Sequence, residues 1–167
     1  MRIKQILASI AIIVFILLIV YPTFATGTIT FQLNAEITSD QFDHLYVTVR
    51  EVSVHKAKMQ VKEGWITILN ETRSLDLATL KDVGDLIAES RLMIGEYDKV
   101  KLTFTNASTV VNNTQLKLDI DLAEYVIPVE FLSRASQETR ILLEANARVK
   151  KVAASGILYL TFTAKVI

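Results

Sequence analysis

Sixteen consecutive residues near the start of the chain, Ile6 to Tyr21, contain a single polar side chain, Ser9. Arg2 and Lys4 precede the run and Pro22 follows it. A membrane-spanning helix needs about 20 apolar residues and the apolar region of a signal peptide roughly 7–15, so the run lies between the two. Pro22 is expected to end a helix. Thr23-Phe24-Ala25 then sets small or small-branched residues at the positions a signal peptidase inspects. The first expectation is therefore cleavage after Ala25, and the second an uncleaved signal-anchor helix counting residues 6–25 as its span. Both send the rest of the chain to the same side. After the run no Lys or Arg occurs until Arg50, so the charge bias keeps the N-terminus cytoplasmic and carries everything from Thr26 outward. The expected division is a signal peptide or anchor over residues 1–25 and an extracytoplasmic domain over 26–167, secreted or held at the membrane. A core helix is the remaining alternative, and it would have to hide an all-round apolar segment at the very terminus.

Removal of residues 1–25 leaves 142 residues, enough for one hydrophobic core. That remainder has 16 basic and 18 acidic residues, which excludes the basic face that nucleic-acid binding requires. The absence of cysteine excludes disulfides, thiolate metal sites and a thiol nucleophile. Three of the six asparagines, Asn70, Asn106 and Asn112, begin Asn-x-Ser/Thr acceptor sites for N-glycosylation. Such sites agree with a surface outside the cell, although Asn and Thr are also common at strand ends and turns.

From residue 26 onward the hydropathy alternates with period two. Ile29, Phe31 and Leu33 alternate with Thr28, Thr30 and Gln32, the pattern of a half-buried strand. In "HLYVTVREVSVHKA" the apolar phase is carried by Leu45, Val47 and Val49 and then jumps to Val52 and Val54, which predicts a bulge or bend near Arg50-Glu51. Trp65 to Leu69 forms a further strand. In "SLDLATLKDVGDLIAE" Leu77, Leu80, Val83 or Gly84, and Ile87 fall at three-to-four spacing, which predicts one or two short helical turns interrupted at Gly84. Lys99 to Thr105 resumes the alternation, and "ASTVVNNTQLKLDI" reads as a hairpin turning at Asn112-Asn113. "YVIPVEF" reads as an edge strand because Pro128 has no N–H to donate. Thr139 to Val149 and Ile157 to Val166 complete the set. The expected fold is all-β, an antiparallel β-sandwich of about seven to nine strands with one short helical segment, preceded by the N-terminal hydrophobic helix.

Candidate chemistry is thin. His44 and His55 lie eleven residues apart on one strand, roughly 36 Å if extended, so they cannot share an ion there. Ser53 and His55 share a strand face, the beginning of a nucleophilic pair, but an orienting acid and a glycine-flanked elbow are lacking, and two polar residues on a solvated face is the preferred reading. Asp119, Asp121 and Glu124, with Asp119 and Asp121 on one strand face, and the trio Asp76, Asp82 and Asp85, could supply hard oxygen ligands but lack the spacing of a calcium loop. Trp65, Tyr97, Tyr125 and Tyr159 are scattered as core fillers rather than rowed as a stacking platform. No catalytic, cofactor or metal residue is assigned.

The blocks "GTITFQLNAE", "FDHLYVTVREVSVHKA", "GWITI", "SLDLATL" and "LIAESRLMIGEYDKVKLTF" resemble, in order and spacing, an uncharacterised family of exported archaeal and bacterial proteins, domain of unknown function 4382. The resemblance covers roughly Gly27 to Ile120. It implies a β-sandwich outside the membrane and brings no catalytic set. One departure is visible: Asn34-Ala35-Glu36 stands where the family's first strand usually ends in an Asp-Ala-Pro turn. The expected function is a non-enzymatic cell-surface domain acting in binding or surface structure. The alternative is a filament subunit whose Thr26–Leu33 strand completes a neighbour's sheet. Expected partners are the membrane, through an uncleaved helix, and further copies or surface proteins.

Overall fold

The computed structural model describes residues 2–38, 43–80, 84–111, 114–152 and 155–167. One helix, α1 (Arg2–Ala25), is followed by ten strands: β1 (Thr26–Ile37), β2 (His44–Lys56), β3 (Trp65–Leu69), β4 (Arg73–Asp76), β5 (Asp85–Met93), β6 (Gly95–Val111), β7 (Thr114–Ile120), β8 (Glu124–Ser133), β9 (Glu138–Val152) and β10 (Ser155–Val166). The fold is all-β. The ten strands form one hydrogen-bonded sheet with the order β3-β2-β6-β7-β10-β9-β1-β5, while β4 joins β2 and β8 joins β6. The sheet curls so that its two halves face one another. Phe162 of β10 lies 5.7 Å from Phe104 of β6 and 5.0 Å from Tyr125 of β8, although β8 and β10 are not neighbours in the sheet.

Most pairings are antiparallel, but β1 runs parallel to β9 and β7 parallel to β10. These two pairings are between strands far apart in sequence, which is why hydropathy alternation gives no sign of them. Enclosure on both sides also changes β1: Ile29, Phe31, Leu33 and Ala35 are buried as their alternation requires, and Thr30 is buried as well. Thr30 stays satisfied by donating to Glu138 (3.0 Å). Full burial of side chains such as Ile29 or Phe31 contributes about 1.5–3 kcal/mol each.

The predicted break in β2 is present. Register slips occur between Thr48 and Val49 and between Val49 and Glu51, so that Leu45, Val47 and Val49 before the break and Val52 and Val54 after it all reach the core. Among the described residues β8 pairs with β6 alone, as Pro128 requires of an edge strand. The β6–β7 hairpin pairs Val111 with Thr114. Its expected turn, Asn112-Asn113, lies outside the described residues.

The expected short helical segment is present as one 3-10 turn, Leu77–Thr79. Two finer expectations fail. The helical spacing does not extend to Ile87, which belongs to β5. Asp76 caps that turn, its side chain accepting from Ala78 N, and Leu80 N bonds back to Leu77 O. Ala35 of β1 donates to Leu80 O (3.1 Å), so the turn is docked on the sheet. From Asp85 the chain pairs with β1 instead of extending the helix, because the β1 ladder supplies its hydrogen bonds. Val83 and Asp82 lie outside the described residues. The second failure is Pro22, which does not stop α1: the helix continues to Ala25 and passes into β1 without a connecting loop. A proline this near the end removes few helical hydrogen bonds. The exit is held in turn by the sheet, since Ile94 N donates to Ala25 O (3.0 Å).

Gly27 is required at this junction. A Cβ there would lie 2.4 Å from Arg134 O and 2.9 Å from Gln137 O, so only glycine lets the β8–β9 turn approach β1.

Candidate functional site

The polar cluster around His55 is built by two irregularities and one turn. After its bulge, β2 buries four residues in succession, Val52 to His55. Val52 and Val54 enter the core, while His55 meets Gln60 O of the segment between β2 and β3, and Ser53 meets Thr67 of β3. In that segment Lys56 N bonds Gly64 O (2.9 Å), Glu63 N bonds Gln60 O (2.8 Å) and Trp65 Nε1 donates to Val61 O (2.8 Å). Lys58 and Gly64 take positive φ, 68° and 79°. The Trp65 ring lies 5.0 Å from the His55 ring, and Lys101 Nζ stands 5.0 Å over Trp65.

The expectation that Ser53 and His55 sit on a solvated face is overturned, since both have 0 % exposure. The acid that the sequence reading lacked is present: Asp98 Oδ1 lies 2.7 Å from His55 Nδ1. Asp98 is an extra residue in the ladder of β6 against β2, lying between the pairs Tyr97–Lys56 and Lys99–His55, and a bulge of this kind re-aims a side chain. The third element of a nucleophilic site is not formed. His55 Nε2 is 3.1 Å from Gln60 O, a carbonyl that only accepts, so Nε2 donates there and not to a serine. Ser53 instead hydrogen-bonds Glu51 and Thr67. Nδ1 thus faces the Asp98 carboxylate and Nε2 the Gln60 carbonyl, so each ring nitrogen has an acceptor. Burial pushes the Asp98 carboxyl up, but hydrogen bonds from Lys99 and His55, together with their charges, outweigh it and hold the group below the usual carboxylate range. The chemistry available to this cluster is structural: it ties β2, β6 and the turn before β3 together.

His44, at the other end of β2, meets Asp76 Oδ2 at 2.6 Å, with its side chain 46 % exposed. Asp76 Oδ1 also accepts from Leu45 N and Ala78 N, both at 3.1 Å. The other acids disperse. Asp85 pairs with Arg73 (3.5 Å) at the start of β5, and Asp119 and Asp121 do not share a strand face because β7 ends at Ile120. Glu124 lies 3.8 Å from Lys101. Among the described residues no group of three or more His, Asp or Glu stands close enough to hold a metal ion. Tyr97 is fully buried, stacked 5.1 Å from Phe131, and donates to Met93 O (2.9 Å). Burial alone raises its phenol.

Of the acceptor asparagines, Asn70 is exposed between β3 and β4. Asn106 is exposed within β6, opposite Thr48, in a groove of about 450 Å³. Asn112 lies outside the described residues. A larger groove, about 670 Å³, runs over the face of β1, β9 and β10 and is walled by Asn34, Glu36, Glu144, Asn146, Thr161 and Thr163. Its polar groups are partly paired with one another or with neighbours: Glu144 accepts from Lys165 (2.6 Å) and Asn146 from Thr38 (3.1 Å). The Asn34-Ala35-Glu36 segment therefore forms one wall of this groove, near the end of β1 rather than in a turn.

Along α1 the described apolar side chains are open to solvent, among them Leu7 (61 %), Ile12 (60 %), Phe15 (64 %) and Leu17 (60 %). Among the described residues no helix is long and apolar enough to cross a membrane.

One comparison with known proteins returns a match. The model of a family described as a domain of unknown function (DUF4382) matches residues 26–161, so the similarity continues well past Ile120, where the block-by-block resemblance ends. No curated protein and no solved structure matches the chain.

Proposed function

The chain belongs to the DUF4382 family, and from that premise we propose that it is a non-enzymatic extracytoplasmic β domain, held at a membrane by α1 and acting in binding or surface structure. The observation that carries the reading is α1 itself. Its described apolar side chains, from Leu7 to Leu17, are exposed, and a stripe of Leu, Ile, Val and Phe left in water costs about 0.8 kcal/mol for each CH₂ that a bilayer would cover. The helix runs unbroken through Ala25 into β1, which favours an anchor that is retained over one that is cut away. The engagement of His55 by Asp98 and Gln60 O supports a binding or structural role over turnover.

The filament reading draws less support. Thr26–Leu33 is paired within its own chain on both sides, with β5 and with β9, so donating it to a neighbour would first require breaking two ladders.

Two measurements test the proposal. Protease added to intact cells should digest Thr26 to Ile167, and protection until the cells are broken would overturn the location. Mass spectrometry of the protein from its native membrane should find residues 1–25 still attached and glycan on Asn70 and Asn106. An N-terminus at Thr26 would replace the anchor with secretion.

A further inference from the structure

The end of the β domain from which α1 departs carries an unusual set of exposed side chains. Ala25, the last helical residue, accepts a hydrogen bond from Ile94, and Thr26 O accepts one from Ser136 N (3.0 Å). The β5–β6 and β8–β9 turns are thereby fastened on either side of the helix exit. Met93 is 58 % exposed, Ile94 49 % and Leu132, one residue from the Gly95–Ser133 pair, 43 %. Arg91, paired with Thr28, and Arg134 are exposed beside them, and neither makes an ion pair among the described residues. Arg91 borders a notch of about 250 Å³ with Thr26, Gly27, Thr28, Ser136 and Gln137. The acid in that notch, Glu138, is occupied by Arg140 (2.8 and 3.0 Å) and Thr30.

We propose that this end is a membrane-contacting rim: Met93, Ile94 and Leu132 enter the interfacial region of the bilayer that holds α1, and Arg91 and Arg134 meet lipid phosphates. The inference rests on the anchor reading above. The occupant follows from continuity. The medium that covers the apolar side chains of α1 ends at its C-terminus, and Ala25 is hydrogen-bonded to Ile94 with no intervening linker. A body fastened at zero distance cannot stand away from the headgroups, so the side chains around the exit must suit them. Apolar groups flanked by guanidinium groups do, the former by burial and the latter by charge-assisted bonds to phosphate.

The natural chain has no cysteine, so single-cysteine variants label at one site. Full-length Met93→Cys, Ile94→Cys, Ile13→Cys and Lys117→Cys proteins would carry an environment-sensitive fluorophore in vesicles of phosphatidylcholine and phosphatidylglycerol, with or without spin-labelled lipids. Ile13 reports the anchor, and Lys117, exposed on β7, reports the distant part of the body. The expected result is quenching at positions 13, 93 and 94, from shallow spin labels at the last two, with Lys117→Cys unquenched. Adding Arg91→Gln and Arg134→Gln to Met93→Cys should lose part of the quenching at 93, and unchanged quenching would overturn the role of the arginines. Quenching at 13 with positions 93 and 94 in water overturns the rim while the anchor stands. No quenching at 13 overturns both. Quenching at 117 as strong as at 93 would mean that the body adsorbs without a defined rim, which also overturns the proposal.

Discussion

The two ends of β2 carry the same pair of residue types in different surroundings. At one end His44 meets Asp76 at 2.6 Å with the ring nearly half exposed, and at the other His55 meets Asp98 at 2.7 Å with the ring 1 % exposed. The difference teaches that burial, and the second partner that burial demands, assigns a histidine its role. His55 needs an acceptor on each nitrogen and has both, whereas water can serve the outer nitrogen of His44. An exposed ion pair contributes about 0–1 kcal/mol, while breaking a buried one by removing a single partner costs about 3–5 kcal/mol.

The sharpest way to break this contrast is His55→Ala, which leaves Asp98 with Lys99 alone, removes the donor to Gln60 O and opens a void beneath Trp65. It is expected to destabilise the protein by about 2–4 kcal/mol in chemical denaturation, and a loss as small as that of His44→Ala would refute the contrast. Asp98→Asn keeps the shape and removes the charge, at an expected cost of about 1–3 kcal/mol near neutral pH. Its pH dependence sharpens the point. Because the folded-state carboxyl of Asp98 is held below its unfolded value, its contribution is full above the unfolded pKa and disappears as pH falls through the depressed folded value. The stability gap between the native chain and Asp98→Asn should therefore narrow only in that acid range. A gap that stays constant there would show that the charge is not what stabilises the pair.

Asp76→Ala should cost about 1–2 kcal/mol, less for its pairing with His44 than for the lost cap on the 3-10 turn and the lost acceptor for Leu45 N. The smallest effect belongs to His44→Ala, within about 0–1 kcal/mol. If it equalled Asp76→Ala, the ion pair rather than the cap would be the main contribution of Asp76.

Much of this arrangement could be read in advance, because a strand's side chains alternate faces whatever its neighbours are. The apolar phase jump at Arg50-Glu51 and the lone N–H-less Pro128 located a bulge and an edge strand, both of which the sheet contains. Ile87 was misread because three-to-four spacing over a few residues suits a helix, a strand and a turn equally, and pairing with β1 broke the tie. Asp98 was out of reach altogether. It is 43 residues from His55 and points at it through a bulge that β6 makes against β2.

Local chemistry along the chain, then, sufficed for the all-β character, the apolar N-terminal helix, the positions of most strands and the family. These depend on period, proline, glycine and charge order, which act over a few residues. The burial of Ser53 and His55, the Asp98 counter-ion, the parallel pairings of β1 and β7, and the clustering of Met93, Ile94, Arg91 and Arg134 around Ala25 came from the folded sheet. Each is a contact between segments dozens of residues apart, and such contacts exist only once hydrogen-bond ladders have chosen which strands lie side by side.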